Sequence, residues 1–289
     1  MNARIIDHLV LPVEELAGAR GRLERLGFTV APDARHPFGT VNACVFLADG
    51  VYLEPLAIGD DDVCARAAEA GNVFAERQRQ VRSLHPACGF SALVLASDDA
   101  AADDAHYRAA AVSAGSMLDF SRKMRMPEGG ETTASFRLAF AAGHSASFFL
   151  FSCQRIDPLP RDMGGLVRHG NGVLGLKEVV LCAPRPAREC RLLETVLEIK
   201  GKGEDGGLMF DTGNAVVRVL PEQAPALCSG ADDCDAGTGL WGHGLVFTVA
   251  DLAVTAAVLA ANDVPFLRRQ TRLSVPAATG QDVMFAFEE

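Results

Sequence analysis

The 289-residue sequence has little tyrosine or tryptophan, no excess of positive charge and no long hydrophobic run. Nucleic-acid binding needs a basic surface, so the net charge of −10 predicts no nucleic-acid partner. No run of about eighteen uncharged apolar residues is present, so we expect no membrane span. The first residues lack the pattern of a signal peptide, which makes the cytoplasm the expected location.

Several signatures of known chemistry are also missing. The eight cysteines form no CxxC pair, so we expect neither a disulfide framework nor a cysteine-rich zinc site. There is no GxSxG, no GxxxxGK[ST] and no HExxH motif. These absences argue against an α/β-hydrolase nucleophile, a P-loop phosphate site and a zinc peptidase helix.

What the sequence does contain is an internal repeat. Residues 9–30, LVLPVEELAGARGRLERLGFTV, align without a gap with residues 245–266, LVFTVADLAVTAAVLAANDVPF. Each segment predicts a strand and then a helix with an acidic start and apolar residues three and four positions apart. Similar starts occur at residues 90–115 and 176–197.

Strand-like segments follow each of these four starts. After the first, residues 41–58 contain two apolar runs joined by Asp49-Gly50, which is a strong hairpin signal. The sequence therefore predicts four βαβββ units and an α+β fold. Because one unit is too short to close on itself, we expect units to pair and bend eight strands around a cavity. The predicted result is two open-barrel domains, residues 1–155 and 174–289, joined by a Pro- and Gly-rich linker at 156–173.

Two polar residues interrupt the apolar strands of the first unit. His8 lies between Ile6 and Val10, and strand alternation places these three side chains on one face. Glu54 lies in YLEPLAI and shares a face with Tyr52. A buried carboxylate costs several kcal/mol unless it is paired or binds an ion, so Glu54 is a candidate functional group. The alternatives are a His8–Glu54 hydrogen bond without function, or a position at a solvent-exposed rim.

Six short motifs occur in order between about residues 5 and 181. They are DHLVLPV (7–13), LGFTV (26–30), RHPFGTVNACVFL (35–47), YLEPLAI (52–58), FSRKMR (120–125) and RHGNGVLGLKEVVL (168–181). No single motif is specific, but their order and spacing resemble the vicinal oxygen chelate superfamily. That group includes glyoxalase I, extradiol dioxygenases and bleomycin-resistance proteins. The closer resemblance is to its glyoxalase-like domain family of bacterial proteins.

The resemblance implies a divalent metal in a cavity between paired units, with ligands from the first and fourth strands. His8 and Glu54 match two of these ligand positions, whereas the second unit has Ala92 and Phe151 where ligands are expected. Imidazole and carboxylate suit Zn, Mn, Fe and Ni alike, so the ligands do not identify the metal. Two protein ligands are fewer than the three of a typical catalytic site. Either another residue completes the set, or the cavity binds an organic ligand and no metal.

Further residues of the N-terminal half are candidate contacts for a substrate. His36 and Asn42 lie in the polar turn HPFGTVN, and Tyr52 lies beside Glu54. Arg122 would hold an anionic or carbonyl oxygen through its planar donor fork, while Glu54 binds metal or moves a proton. The alternative for His36 and Asn42 is an ordinary turn, and for Arg122 a surface position.

The C-terminal half offers a second candidate set. Glu178 aligns with His8, and Glu288 could supply a fourth-strand carboxylate. The ungapped alignment matches Gly244 rather than His243 to His8, so His243 would need a β-bulge to reach the same face. This set lacks the 2-His-1-carboxylate pattern of the extradiol dioxygenases, so we do not expect that activity. The alternative is a surface His243 and a frayed Glu288.

Two functions follow from these observations. The first is a metal-assisted or acid–base lyase or isomerase that acts on a small oxygenated substrate through an enolate. The second is a non-catalytic protein that sequesters an aromatic or amphiphilic compound, which the apolar residues Ala92 and Phe151 favour. The resemblance favours the enzyme. Four units can cover their own sheet edges, so a monomer or a homodimer is expected.

Overall fold

A computed structural model describes residues 3–84, 89–125, 129–157, 163–222, 239–278 and 283–289. These residues form an α+β fold with two large mixed sheets, as the repeat predicts. The first sheet contains β1 (Ile6–Pro12), β2 (Ala34–Arg35), β3 (Thr40–Asn42), β4 (Val45–Phe46), β5 (Tyr52–Ile58), β6 (Ala92–Ser97), β7 (Leu118–Arg125), β8 (Glu131–Ala141) and β9 (Phe149–Arg155). The second contains β10 (Val173–Ala183), β11 (Lys202–Glu204), β12 (Gly207–Asp211), β13 (Val216–Pro221), β14 (Trp241–Val249), β15 (Leu267–Arg269), β16 (Arg272–Val275) and β17 (Met284–Glu288).

Helices connect the strands within each unit and also connect the first unit to the second. They are α1 (Leu16–Arg25), α2 (Asp61–Glu69), α3 (Val73–Leu84), α4 (Ala100–Ala109), α5 (Pro186–Leu197) and α6 (Leu252–Ala261), with a short 3-10 helix at Gly164–Val167. Of these, α2 and α3 connect the first unit to the second. Three of them begin at an aspartate N-cap, Asp60, Asp99 or Asp251, whose carboxylate accepts backbone N–H groups. No helix in these described ranges is long and apolar enough to cross a membrane.

The two sheets have the same strand order. The first runs β2-β3-β5-β1-β6-β9-β8-β7 and the second β11-β12-β13-β10-β14-β17-β16-β15. In each, the first strands of two units pair antiparallel, β1 with β6 and β10 with β14. The four paired βαβββ units are therefore confirmed. The sequence missed β15 and β16 of the fourth unit, and the domain boundaries at 155 and 174 stay predictions.

The two faces of the first sheet pack differently. Leu9 and Leu11 belong to one large hydrophobic cluster, which also contains residues of the second sheet and of α1, α4, α5 and α6. Val10, between them, belongs to a separate cluster with Phe74 of α3 and Phe151 of β9. Alternation along β1 thus sends one set of side chains into the shared core and the other set toward α3.

A β-bulge interrupts this alternation at the start of β1. Ile6 pairs with Leu95 and His8 pairs with Val94, so Asp7 is an extra residue between two consecutive partners. Such a bulge re-aims the neighbouring side chains. Ile6 packs in the shared core, so the prediction that it shares a face with His8 and Val10 is wrong.

The C-terminal part of the linker, which contains His169 and Asn171, is fixed to the first unit. His169 accepts a hydrogen bond from the Thr29 backbone N–H at 3.1 Å and donates one to the Phe46 carbonyl at 3.0 Å. Asn171 is fully buried and donates to the Leu26 carbonyl at 2.8 Å. The 3-10 helix that precedes these residues consequently has a fixed position beside β4.

Candidate functional site

Five of the six predicted site residues of the N-terminal half line one cavity of about 30 Å³. The polar part of its wall consists of His8, His36, Tyr52, Glu54, Arg122 and Cys153. The rest is Leu138 and five phenylalanines, Phe38, Phe74, Phe120, Phe136 and Phe151. The sixth residue, Asn42, is hydrogen-bonded to Glu54. Phe151, predicted as an apolar replacement for a ligand, is part of this wall.

The Glu54 carboxylate is the most enclosed charged group of the cavity. Only 5% of the residue is exposed, in the middle of β5. Oε1 accepts a hydrogen bond from Asn42 Nδ2 at 2.5 Å and lies 3.8 Å from His36 Nε2. Oε2 lies 3.6 Å from His8 Nε2. One amide and two imidazoles therefore surround this carboxylate.

The bulge residue Asp7 fixes the orientation of His8. Asp7 Oδ1 accepts a hydrogen bond from His8 Nδ1 at 2.8 Å and another from Arg155 Nη2 at 2.6 Å. Tyr52 stacks on the His8 ring at 4.3 Å, and Phe151 meets it edge-on at 5.7 Å. Because a carboxylate is only an acceptor, His8 Nδ1 carries a hydrogen, so in the neutral form of the ring the lone pair is on Nε2, which faces Glu54.

Arg155 supplies a permanent positive charge behind this pair. Burial disfavours its charge, but the nearby Asp7 and Tyr52 outweigh burial and raise the pKa of Arg155. Sequence reasoning missed both Asp7 and Arg155. Asp7 and His8 are adjacent in the sequence, but regular strand alternation predicts that their side chains lie on opposite faces. The β-bulge brings the two side chains together.

His36 is held as a neutral imidazole. Its Nδ1 lies 2.9 Å from Thr40 Oγ1, and its ring stacks on Phe38 at 4.9 Å. Burial, with the positive field of Arg122 and of His8, lowers the pKa of His36 to about 3. The turn is fixed by Gly39, which has a φ of +93° and where a Cβ would lie 2.6 Å from the Asp60 carbonyl.

Two buried polar atoms at the cavity have no hydrogen-bond partner in the described part of the chain. They are Asn42 Oδ1, an acceptor, and Arg122 Nε, a donor. The Arg122 guanidinium lies 5.8 Å from the centre of the Phe136 ring. Most buried polar atoms in proteins are paired, so these two atoms are suited to a ligand that offers a donor and an acceptor.

The cavity thiol is not a nucleophile at neutral pH. Cys153 is buried, and burial together with the charge of Asp7 raises its pKa well above the ordinary value. Nucleophilic attack by cysteine requires the thiolate. Acid–base chemistry by His8 and Glu54 is what this arrangement supports.

The donors of the cavity do not complete a typical metal site. His8 Nε2 and Glu54 Oε2 are near enough to share an ion, but a catalytic site usually has three protein ligands. The second unit places buried Ala92 and Phe151 at the corresponding positions. Within the described ranges, no group of three or more histidine, cysteine, aspartate or glutamate side chains is arranged to hold a metal ion.

The C-terminal candidate set is not brought together. A β-bulge is present, with His243 as the extra residue between Gly242 and Gly244. Glu288, however, pairs with Thr248, four residues beyond Gly244 and therefore about 13 Å along the strand.

The two carboxylates of that set are occupied by cations. Glu178 accepts hydrogen bonds from Arg218 at 3.2 and 3.4 Å. Glu288 forms ion pairs with Lys177 at 2.7 Å and with Arg272. These pairs give both carboxylates a structural role in the second sheet.

Two sheets of paired βαβββ units define this protein as a member of the vicinal oxygen chelate fold class. Within that class the chain belongs to the family described as the glyoxalase-like domain, whose profile matches residues 6–197. No curated protein matches the sequence.

Solved structures agree with this fold. A hypothetical protein from Staphylococcus aureus superposes with a TM-score of 0.67 at 12% identity, covering 99% of both chains. A mutant 4-hydroxymandelate synthase from Streptomyces coelicolor superposes with a TM-score of 0.61 at 15% identity, covering 99% of this chain and 92% of that one. The Mn(II)-bound glyoxalase from Novosphingobium aromaticivorans superposes with a TM-score of 0.52 at 12% identity, covering 99% of this chain and 82% of that one.

The lowered pKa of His36 predicts a specific acid sensitivity. Between pH 6.5 and about 3 the unfolded chain binds a proton at His36 that the folded protein excludes, so stability falls as the pH falls. The contribution of one such group is about 1.4 kcal/mol per pH unit. We expect His36→Asn to show a shallower loss of unfolding free energy between pH 6 and 4 in urea titrations. The exposed His106→Asn is the control, and equal slopes for wild type and His36→Asn would contradict the assignment.

Proposed function

We propose that this protein is an enzyme that transfers a proton on a small oxygenated substrate in the N-terminal cavity. The class is an isomerase or lyase that acts through an enolate. The supporting observation is that His8 Nε2, with its tautomer fixed by Asp7, faces Glu54 Oε2 at 3.6 Å inside a buried cavity. Two proton acceptors so close together can serve two positions of one substrate.

Glu54 and His8 can together catalyse a 1,2-proton shift in an α-hydroxy carbonyl compound, with every proton accounted for. Glu54 removes the proton from the carbon beside a carbonyl, and the electron pair moves onto the carbonyl oxygen. His8 Nε2 accepts the proton of the neighbouring hydroxyl. Return of the two protons to the exchanged positions gives the isomer and restores both side chains. In a lyase the electron pair of the enolate instead expels an oxygen from the next carbon, the C–O bond breaks, and the leaving oxygen takes the proton that Glu54 carries.

Other residues of the wall stabilise the developing charge. The Arg122 guanidinium can donate to the enolate oxygen, and a preorganised donor of this kind lowers the barrier more in a dry site than in water. The five phenylalanines of the wall exclude water. Asn42 donates to Glu54 Oε1 and leaves Oε2 for the substrate.

A divalent ion is the cofactor that the family resemblance suggests, and one similar structure is Mn(II)-bound. His8 and Glu54 would be two of its ligands, with Zn, Mn, Fe and Ni equally suited. When bound, such an ion acts as a Lewis acid toward an enolate. Because the third ligand is not supplied by the donors described above, the steps proposed here use only side chains.

Binding without turnover is the second candidate function. The apolar wall and the residues Ala92 and Phe151 favour a protein that sequesters an aromatic or amphiphilic compound. Ligand binding with no proton exchange would support this alternative.

The proposed chemistry can be tested without knowing the natural substrate. We expect the wild-type protein to exchange the α-proton of at least one member of a panel of α-hydroxy ketones, 2-oxo acids and 2-hydroxy acids with deuterium from solvent, followed by proton NMR. Glu54→Gln, which keeps the size of the side chain but removes the base, should slow exchange by about 10²–10⁴-fold. His106→Ala, at the exposed end of α4, is the control. Exchange that survives Glu54→Gln would contradict the assignment of the base.

The incomplete donor set predicts weak metal binding. We expect protein purified without chelator to contain well under one equivalent of Zn, Mn, Fe or Ni by inductively coupled plasma mass spectrometry. Proton exchange should persist after dialysis against EDTA. One firmly bound equivalent that is lost in His8→Ala would show that a third ligand is recruited and that the metal-independent scheme is wrong.

A further inference from the structure

A larger cavity adjoins the inner one. It has a volume of about 530 Å³, within the range of small-molecule sites, whereas the inner cavity has room for only a few atoms. We call it the outer cleft and define it as the space between residues 31–35, residues 42–46, β7 and the 3-10 helix. Arg122 lines both cavities, and Asn42, which lines the outer cleft, is hydrogen-bonded to Glu54 of the inner one. A ligand that reaches Glu54 therefore leaves most of its atoms in the outer cleft.

The charges of the outer cleft favour an anion. The Glu131 carboxylate lies 3.4 Å from Lys123, and the Asp33 carboxylate lies 2.5 Å from Arg20. Both acidic side chains of the wall are thus neutralised by neighbours. In the described ranges, no ion pair is formed by Arg35 or by Arg122, the remaining cations of the wall.

The boundary between the cavities offers one acceptor and one donor. The Asn42 amide nitrogen is engaged by Glu54, and this fixes Oδ1 as the free acceptor on a residue that is only 1% exposed. Arg122 Nε is the free donor. A carboxylate that carries a hydroxyl on the next carbon satisfies both atoms, since the hydroxyl donates to Asn42 and the carboxylate accepts from Arg122.

The far wall of the outer cleft is apolar and fixed. Met163 and Leu166, at the 3-10 helix, face the cleft together with Phe46. Phe46 is also the residue whose carbonyl accepts the hydrogen bond of His169, which holds the linker in place. This wall fits a hydrocarbon chain rather than a second polar group.

We propose that the outer cleft binds an anionic amphiphile, namely a 2-hydroxycarboxylic acid with an apolar chain. The acid end lies between Asn42 and Arg122, and the chain packs on Met163 and Leu166. The direction of the head group toward Glu54 rests on the proposed function, but binding in the cleft does not. The linker between the two sheets is then a determinant of chain-length specificity.

Calorimetric titration with 2-hydroxybutanoate, 2-hydroxyoctanoate and 2-hydroxydodecanoate tests this proposal. We expect affinity to rise with chain length until the cleft is filled, by up to about fourfold for each buried CH₂. Octanoate, which lacks the hydroxyl, should bind less tightly than 2-hydroxyoctanoate. Arg122→Gln should weaken binding of all three hydroxy acids by about tenfold or more, since hydrogen bonds between charged groups are the strong ones.

A substitution in the linker distinguishes the contribution of the apolar chain to binding from that of the acid group. Leu166→Trp should fill part of the cleft and reduce affinity for the two longer acids, with the four-carbon acid unaffected. Leu174→Trp, at an exposed leucine of β10, is the matched control and should bind like the wild type. Binding that is independent of chain length, or equal for Leu166→Trp and wild type, would overturn the proposal. Chain-length-dependent binding without deuterium exchange would uphold the cleft and overturn the proposed function instead.

Discussion

The buried carboxylate of Glu54 sets the constraint that organises the N-terminal cavity. The imidazoles of His8 and His36 lie 3.6 and 3.8 Å from its oxygens, and a carboxylate held away from water without compensation is costly. His36 is kept neutral by its surroundings. In the tautomer that Asp7 favours, His8 turns a lone pair toward Glu54, so compensation comes from the hydrogen bond that the Asn42 amide donates.

The β-bulge in β1 connects this constraint to the fold. An extra residue at Asp7 allows two successive side chains to form one hydrogen-bonded pair, where a regular strand would separate them on opposite faces. The second sheet has a bulge at the matching place, since Leu176 pairs with Phe247 and Glu178 with Val246. The bulge thus belongs to the repeated architecture, while the Asp-His pair belongs to the first unit alone.

The difference between repeated architecture and features of a single unit explains which parts of the structure the sequence could predict. The repeat at 9–30 and 245–266 reflects period-2 and helical patterns, which are local, and it led to the correct four units. His8 and Glu54 were found because polar residues in apolar strands are unusual. Asp7 and Arg155 were missed because their roles depend on a register shift and on a strand that lies about 150 residues away in sequence. For the C-terminal carboxylates the sequence left a second site and a structural role both open, because their pairing with Arg218, Arg272 and Lys177 depends on cross-strand neighbours.

The arrangement of the cavity depends on Asp7 holding neutral His8 as the tautomer with hydrogen on Nδ1 and a lone pair on Nε2 facing Glu54. Nitrogen-15 NMR of protein labelled at histidine tests it most directly, with Asp7→Asn and His8→Asn spectra to assign the signals. We expect a protonated-type Nδ1 chemical shift and an unprotonated-type Nε2 chemical shift for His8 in the neutral state. A neutral His8 with its hydrogen on Nε2 would contradict it.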